Sequence, residues 1–440
     1  MKHWLLFVKM FLKKDITNRG EPMLIETVLN RCHKINGFVY GNVGWEKSKE
    51  GNILEAEVRP RKNTKGICSK CRRPSATYDT AKNPRRFEFI PLWGYAVVLL
   101  YRMRRVSCKD CGIRVEYIPW ADGKHQLCRI YQQFLANWAR RLSWSETANI
   151  FKTSWQSVRR SVEWMVHWGL GRRDVKDVTA IGVDEVQYQR GHKYLTVIYQ
   201  LDEGCRRLLW VGKDRTVRTM LRFFRMFGEE WSQGIRFVCS DMWKPYLKVI
   251  RKKIKDAVHI LDRYHIVANL NKAIDEVRAE ETRRLEQEGY EPMLKHTRWC
   301  FLKRNKNLTA KQGIKLKDVL KYDLKSVRAY LLKEAFQVFW EYTSPYWAGQ
   351  YLNQWITRAM RSRLNPVKKM AKQIRRHREL ILNWFKAKKK FSSGIVEGFN
   401  TRIKLSIRKS CGFRSFDVIE LALYHTLGAL PEPQVTHRFW

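Results

Sequence analysis

The sequence predicts an α/β fold: a mixed-sheet core with an all-α insertion, preceded by a zinc-binding module and a helix-turn-helix. Three observations carry that prediction. Two Cys-x-x-Cys pairs stand at 68–71 and 108–111. Apolar residues recur at helical spacing through 129–166. From residue 178 the pattern changes to period two and runs as three strands, helix, strand, helix, strand.

Charge limits the partners. The 440 residues hold 86 Lys and Arg against 42 Asp and Glu, a formal net charge of +44 spread over the whole chain. Such a field gathers polyanions, and nucleic acid is the commonest large one. No stretch reaches the roughly 18–20 apolar residues of a membrane span. The start, MKHWLLFVKMFLKK, is broken by lysines and reads as a terminal helix or a fraying segment. A cytoplasmic, nucleoid-associated protein is expected. Its ten cysteines are then reduced, so paired cysteines indicate metal before disulfide.

Residues 1–60 are read only as an N-terminal segment, and 61–120 as the zinc-binding module. Cys68, Cys71, Cys108 and Cys111 suit a tetrahedral four-thiolate site, because each pair presents two sulfurs to one ion. Gly112 suits a tight turn after the second pair. FEFIPLWGYAVVLLYRMRRV, between the pairs, reads as two strands able to bring them together. The helix-turn-helix occupies 125–172. Ser143 or Ser145 caps its second helix, while Thr153 and Ser154 open a third that exposes Gln156, Arg159 and Arg160 as candidate DNA contacts. An ordinary helical hairpin is the alternative.

The core begins at 178–300, with strands TAIGVDEVQYQR, KYLTVIYQLD and RRLLWVG, then IRFVCSD and AVHILD among helices. Asp184 sits inside an apolar strand, which is costly unless the carboxylate is paired, hydrogen-bonded or bound to a cation. Asp241 ends the fourth strand. In a ribonuclease H-like sheet those strands are neighbours, and the two carboxylates would meet at one edge. Glu185 faces the opposite way and is not read as a ligand. Residues 301–390 form the helical insertion, whose aromatics are read as core and not as base-stacking platforms. Residues 391–440 return to the core. There FSSGIVEGFNTRIK keeps one carboxylate, Glu397, among Arg402, Lys404 and Arg408. A carboxylate on a phosphate-binding surface is useful when it holds a metal ion against the phosphate. On its own, Glu397 also reads as a solvated residue paired to Lys404 or Arg402. Ile395, Phe399, Ile403 and Ile407 form the apolar stripe of its helix, with Glu397 and Asn400 away from it.

IGVDE (181–185), CSDMWKPY (239–246), LDRYH (261–265) and SGIVEGFNTRIK (393–404) together resemble bacterial insertion-sequence transposases of the ISL-three type, within the DDE superfamily. The cysteine pairs and the helix-turn-helix follow that family's N-terminal layout in the same order, so the resemblance spans about residues 30–430. It implies a ribonuclease H-like core split by a helical insertion, with Asp184, Asp241 and Glu397 as the catalytic, metal-binding triad. It also gives His265, three residues after Asp262, a supporting role near the scissile phosphate; the plain reading of that pair is a helix-capping aspartate and a packing histidine.

Three carboxylates are hard ligands suited to Mg2+ or Mn2+, whereas four thiolates suit Zn2+. A triad of this kind holds two ions about 3.5–4 Å apart, one activating the attacking oxygen and the other stabilising the leaving 3′ oxygen. The expected activity is binding of terminal inverted repeats followed by DNA strand cleavage and strand transfer. The expected partners are double-stranded DNA, both element ends and target, and a second copy of the chain in a synaptic homodimer. Two rivals are a ribonuclease H-like nuclease or junction resolvase, and a non-catalytic, domesticated DNA-binding regulator. Inverted repeats flanking the gene would favour the transposase.

Overall fold

The computed structural model describes residues 24–48, 51–388, 393–413 and 415–433. The helix expected at the extreme N-terminus lies outside them. The chain divides into two compact units, Met1–Arg172 with Pro431–Trp440, and Arg173–Leu430.

In the first unit, α1 (Ile25–Cys32) leads into the antiparallel hairpin of β1 (Phe38–Ser48) and β2 (Gly51–Pro60). β2 pairs in parallel with β6 (Tyr95–Tyr101), and β6 pairs antiparallel with β5 (Arg85–Leu92), giving the order β1-β2-β6-β5. The segment before residue 60 therefore supplies half of a sheet. Phe38, Phe87 and Tyr101 stand edge-on to Trp120, with ring centroids 4.9, 5.9 and 5.2 Å away. Edge-to-face packing of this kind places the positive ring edge on the negative face of the indole.

A second, antiparallel sheet has the order β3-β4-β7-β8, from β3 (Gly66–Ile67), β4 (Pro74–Thr80), β7 (Arg104–Cys108) and β8 (Gly112–Val115). The strands expected to join the cysteine pairs are thus divided. β5 and β6 go to the first sheet, where the apolar run of β6 is buried. β7 alternates buried and exposed positions and carries the second pair beside β4. Three helices follow: α2 (Arg129–Ala139), α3 (Trp144–Ile150) and α4 (Trp155–Leu170). Ser143 caps α3 in a reciprocal capping box with Glu146, and Ser154 caps α4. Both caps satisfy amide groups that the first helical turn leaves unpaired.

The second unit is built on β9 (Ala180–Gln189), β10 (Lys193–Gln200), β11 (Arg207–Lys213), β12 (Phe237–Ser240) and β13 (Val258–Leu261), in the order β11-β10-β9-β12-β13. β9, β10 and β11 meander antiparallel, while β9, β12 and β13 run parallel. The crossovers carry α5 (Val217–Phe227), α6 (Glu229–Gln233) and α7 (Lys244–Lys253). β9 is central and buried on both faces over most of its length, as its nearly unbroken apolar run requires. One face turns Ile181 and Val183 into a core with Phe223, Tyr246 and Ile250 of α5 and α7.

The following helices are α8 (Arg263–Gln287), α9 (Arg298–Leu302), α10 (Ala310–Val319), α11 (Lys325–Phe339), α12 (Pro345–Arg361), α13 (Asn365–Arg376) and α14 (Arg378–Lys386). Phe336, Phe339, Trp340, Trp355, Trp384 and Phe385 are all buried in one cluster there. The chain then returns through α15 (Ser393–Lys409) and α16 (Phe416–Leu427). Among the described residues no helix is long and apolar enough to cross a membrane.

Candidate active site and metal centres

The first centre lies on two strand turns. Cys68 and Cys71 come from the β3–β4 turn, and Cys108 and Cys111 from the β7–β8 turn. Their four sulfurs lie within 4.8 Å of one another, with Cys71 Sγ and Cys108 Sγ 3.4 Å apart. Each turn closes through a left-handed residue just after its second cysteine, Arg72 at φ 64° and Gly112 at φ 70°. Glycine adopts that conformation without strain. Amide groups of the turns donate to the sulfurs. The Asp110 N–H is the largest influence holding the Cys108 thiol down to about 6, and the Cys71 N–H leads in lowering Cys68. Cys71 and Cys111 are pushed up, Cys111 by burial first and to about 12; four thiols gathered in this way fit zinc.

The second centre grows from the sheet of the second unit. β12 pairs in parallel with β9, with Cys239 opposite Gly182 and Ser240 opposite Val183. Continuing that register by one residue sets Asp241 beside Asp184. Asp184 is 5 % exposed. Its Oδ1 accepts from the Glu185 N–H at 2.7 Å, and its Oδ2 from Asn400 Nδ2 at 2.5 Å. Asp241 accepts from the Trp243 N–H at 3.0 Å. Burial pushes the Asp241 carboxyl up to about 6, and the negative charge of Asp184 adds to the rise. Two acids that resist sharing a site as anions are a ready place for a cation.

His265, in the first turn of α8, completes this edge. Its Nε2 is 3.9 Å from both Asp184 Oδ1 and Asp262 Oδ2. Asp262 caps α8 by accepting from the Tyr264 N–H at 2.7 Å, which fulfils the plain reading of that residue while leaving His265 turned to the carboxylates. Glu185 points to the other face of β9, where Arg215 pairs with it at 2.6 Å. Arg215 is in turn held over the Tyr194 and Trp243 rings, 4.0 and 4.9 Å from their centroids.

Glu397 arrives on α15, which lies on the Asp184 face of the sheet. Val396 packs where a side chain on Gly182 would stand, since a Cβ there would meet Val396 Cγ2 at 3.0 Å. Phe399 stacks on Tyr199 of β10 with centroids 4.6 Å apart. One helical turn after Glu397, Asn400 reaches Asp184. The buried stripe is Val396, Phe399 and Ile403, so the helix is rotated slightly from the stripe its isoleucines suggest. Glu397 itself is exposed. Among the described residues the four thiols are the one group of three or more candidate ligands gathered within 4.8 Å. Asp184 and Asp241 are neighbours at the sheet edge, and Glu397 stands apart from them on the docked helix.

The candidate DNA contacts are in varied settings. Gln156 and Arg160 are exposed on α4, and Arg159 is half-buried with its Nε lacking a partner. Lys404 and Arg408 are exposed on α15. Arg402 leans back on the protein, 3.5 Å from the Thr426 carbonyl and 5.6 Å from the Phe399 ring centroid. Sequence reasoning missed Tyr199, whose buried hydroxyl donates to Asn400 Oδ1 at 2.7 Å, and treated Asn400 as a bystander on an outer face. A tyrosine within the apolar run KYLTVIYQ was the available signal, because a buried phenol needs a partner.

Comparison with known proteins agrees with this layout. The profile of the ISL3 DDE family, described as "Transposase", matches residues 181–423, more than half of the chain. A second profile, described as "zinc-finger of transposase IS204/IS1001/IS1096/IS1165", matches residues 64–111. The transposase for insertion sequence element IS1001 of Bordetella parapertussis is 26% identical over 382 residues, covering 86% of this chain and 92% of the relative. The transposase for insertion sequence element IS1557 of Mycobacterium tuberculosis is 29% identical over 409 residues, covering 87% and 90%.

Proposed function

The chain belongs to the ISL3 transposase family, and on that premise we propose that it binds the terminal inverted repeats of an insertion sequence and catalyses cleavage and transfer of their DNA strands. The observation that carries this reading is the pairing of β9 with β12, which sets Asp184 and Asp241 side by side while α15 brings the Glu397 helix against the same face. We read the sheet with its inserted helices as ribonuclease H-like, and α2–α4 as a helix-turn-helix with α4 entering the groove.

In this proposal Asp184, Asp241 and Glu397 would hold Mg2+ or Mn2+, which would supply Lewis-acid activation of the attacking oxygen and charge stabilisation of the leaving one. The rest falls to the chain. Asp184 and Asp241 present oxygens at a fixed sheet edge. Glu397, on an exposed face of α15, would supply the third carboxylate. His265 stands where it can donate to a phosphate oxygen beside Asp184. Lys404 and Arg408 take the DNA backbone near Glu397. Gln156, Arg159 and Arg160 meet the terminal repeat, and zinc on the four thiols would tie the β3–β4 and β7–β8 turns together. A homodimer follows from pairing two ends when each chain carries one triad.

Cleavage of DNA carrying the element's own ends tests this reading, comparing wild type with Asp184→Asn and Asp241→Asn. Both variants should bind ends as wild type does and lose cleavage by about a hundredfold to a thousandfold, the scale of removing a group that stabilises transition-state charge. Cleavage retained in either variant would remove that residue from the site. Specific binding with no cleavage by wild type would turn the assignment to a DNA-binding regulator.

A further inference from the structure

Asn400 is placed to do more than fasten a helix. Its side chain bridges two groups that come from neighbouring strands of the sheet. Tyr199 Oη donates to Oδ1 at 2.7 Å, and Nδ2 donates to Asp184 Oδ2 at 2.5 Å. Asp184 Oδ2 accepts and so takes the NH2 end of the amide, while the tyrosine hydroxyl, able to donate or accept, holds the carbonyl end by donating to it. Tyr199 is fully buried and stacked under Phe399, so its hydroxyl has little freedom to turn elsewhere. Asp184 Oδ2 is thereby occupied, and Oδ1 is the oxygen that faces His265. The same amide joins α15, one turn from Glu397, to the carboxylate on β9.

We propose that Asn400, oriented by Tyr199, is a positioning residue: it fixes the rotation of the Asp184 carboxylate and couples it to the helix that carries Glu397. This rests on the reading of Asp184 as a cation ligand. Partners that orient a ligating carboxylate typically contribute tenfold to a hundredfold in metal affinity or activity.

Mn2+ binding to DNA-free protein, read by the electron paramagnetic resonance of the free ion, tests it alongside the Mg2+ concentration giving half-maximal cleavage. The proteins are wild type, Asn400→Leu, Tyr199→Phe, the double variant, and Asp184→Asn. Asn400→Leu keeps the bulk and the helix but removes the donor. It should weaken Mn2+ binding and raise the Mg2+ requirement by roughly tenfold, with end-DNA affinity unchanged. Tyr199→Phe, which deletes one oxygen, should weaken both about threefold and add nothing in the Asn400→Leu background, since its effect passes through Asn400. Should Asn400→Leu fail to fold, the Tyr199→Phe result decides by itself. Mn2+ affinity within about twofold of wild type in the folded single variants, while Asp184→Asn loses it, would overturn the proposal and leave the reading of Asp184 standing. Additive losses in the double variant would also overturn it. Full Mn2+ binding and cleavage by Asp184→Asn would take down both.

Discussion

The thiol cluster and the proposed carboxylate site are built in opposite ways. The four thiols of the first unit lie within 4.8 Å of one another, each pair spanning four positions of one turn. The acids of the second unit come from positions 184, 241 and 397. Two meet at a sheet edge and one remains exposed on a helix. The thiol site is closed and has a single task, to hold its strands. The carboxylate site is open on one side, which is what a cation that must also touch a substrate requires. Burial is the main cause that raises the Asp241 carboxyl, and the neighbouring Asp184 charge adds to the rise.

The largest expected effect breaks the closed site. Structural zinc contributes about 10–16 kcal/mol of apparent binding free energy in small domains. Cys108→Ser should therefore abolish the bound zinc and with it specific end binding, while the second unit keeps its own unfolding transition. Elemental analysis and calorimetry check both statements. A variant that binds ends normally without zinc would make the two centres alike in being dispensable to the fold.

A smaller effect tests how the open site is assembled. Gly182→Ala puts a Cβ 3.0 Å from Val396 and 3.2 Å from Leu201, so these side chains must give by a few tenths of an ångström, which presses on the seat of α15. The expected cost is about 1–3 kcal/mol of stability, the range for overpacking. Cleavage should fall about tenfold, the scale of disturbing the supports of a metal site. Denaturant titration and cleavage rates measure the two. Unchanged cleavage would show that the docking of α15 does not set the position of Glu397.

The smallest effect is in pH. The Asp241 carboxyl, raised to about 6, holds its proton in the folded chain after an unfolded chain has lost it. Its contribution to metal-free stability is full below the ordinary aspartate range and is lost as pH rises through about 6. Buried His259 works in the other direction. Burial presses it down to about 4, so its contribution is lost as pH falls below the ordinary histidine value. The difference between wild type and Asp241→Asn isolates the aspartate. Metal-free Asp241→Asn should be the more stable by about 1–2 kcal/mol at pH 7.5, with the gap shrinking as pH falls below 6 and closing only near pH 4. Thermal melts with and without Mg2+ check it, and Mg2+ should stabilise only wild type.

The closed site was legible in the sequence because its geometry is local, two residues between ligands and a left-handed residue after each pair. The order of strands and helices in the second unit was legible for a similar reason, since period-two runs and helical runs alternate cleanly from residue 178. Long-range pairing was not. β2 lies against β6, more than thirty residues on, and nothing in GNILEAEVRP indicates a parallel partner. Asn400 was seen on its helix but not understood, because an amide among lysines and arginines looks solvated until the strand beneath it is known.

The most direct test of the account is the exposed residue. Strand cleavage and joining should be measured on DNA carrying the element's own ends, for wild type and Glu397→Gln, with Mg2+ and with chelator. The account predicts Mg2+-dependent cleavage and joining by wild type, and neither by Glu397→Gln, with end binding equal in both. Equal activity in the two proteins would contradict it, leaving Glu397 a surface residue and the paired aspartates without their third ligand.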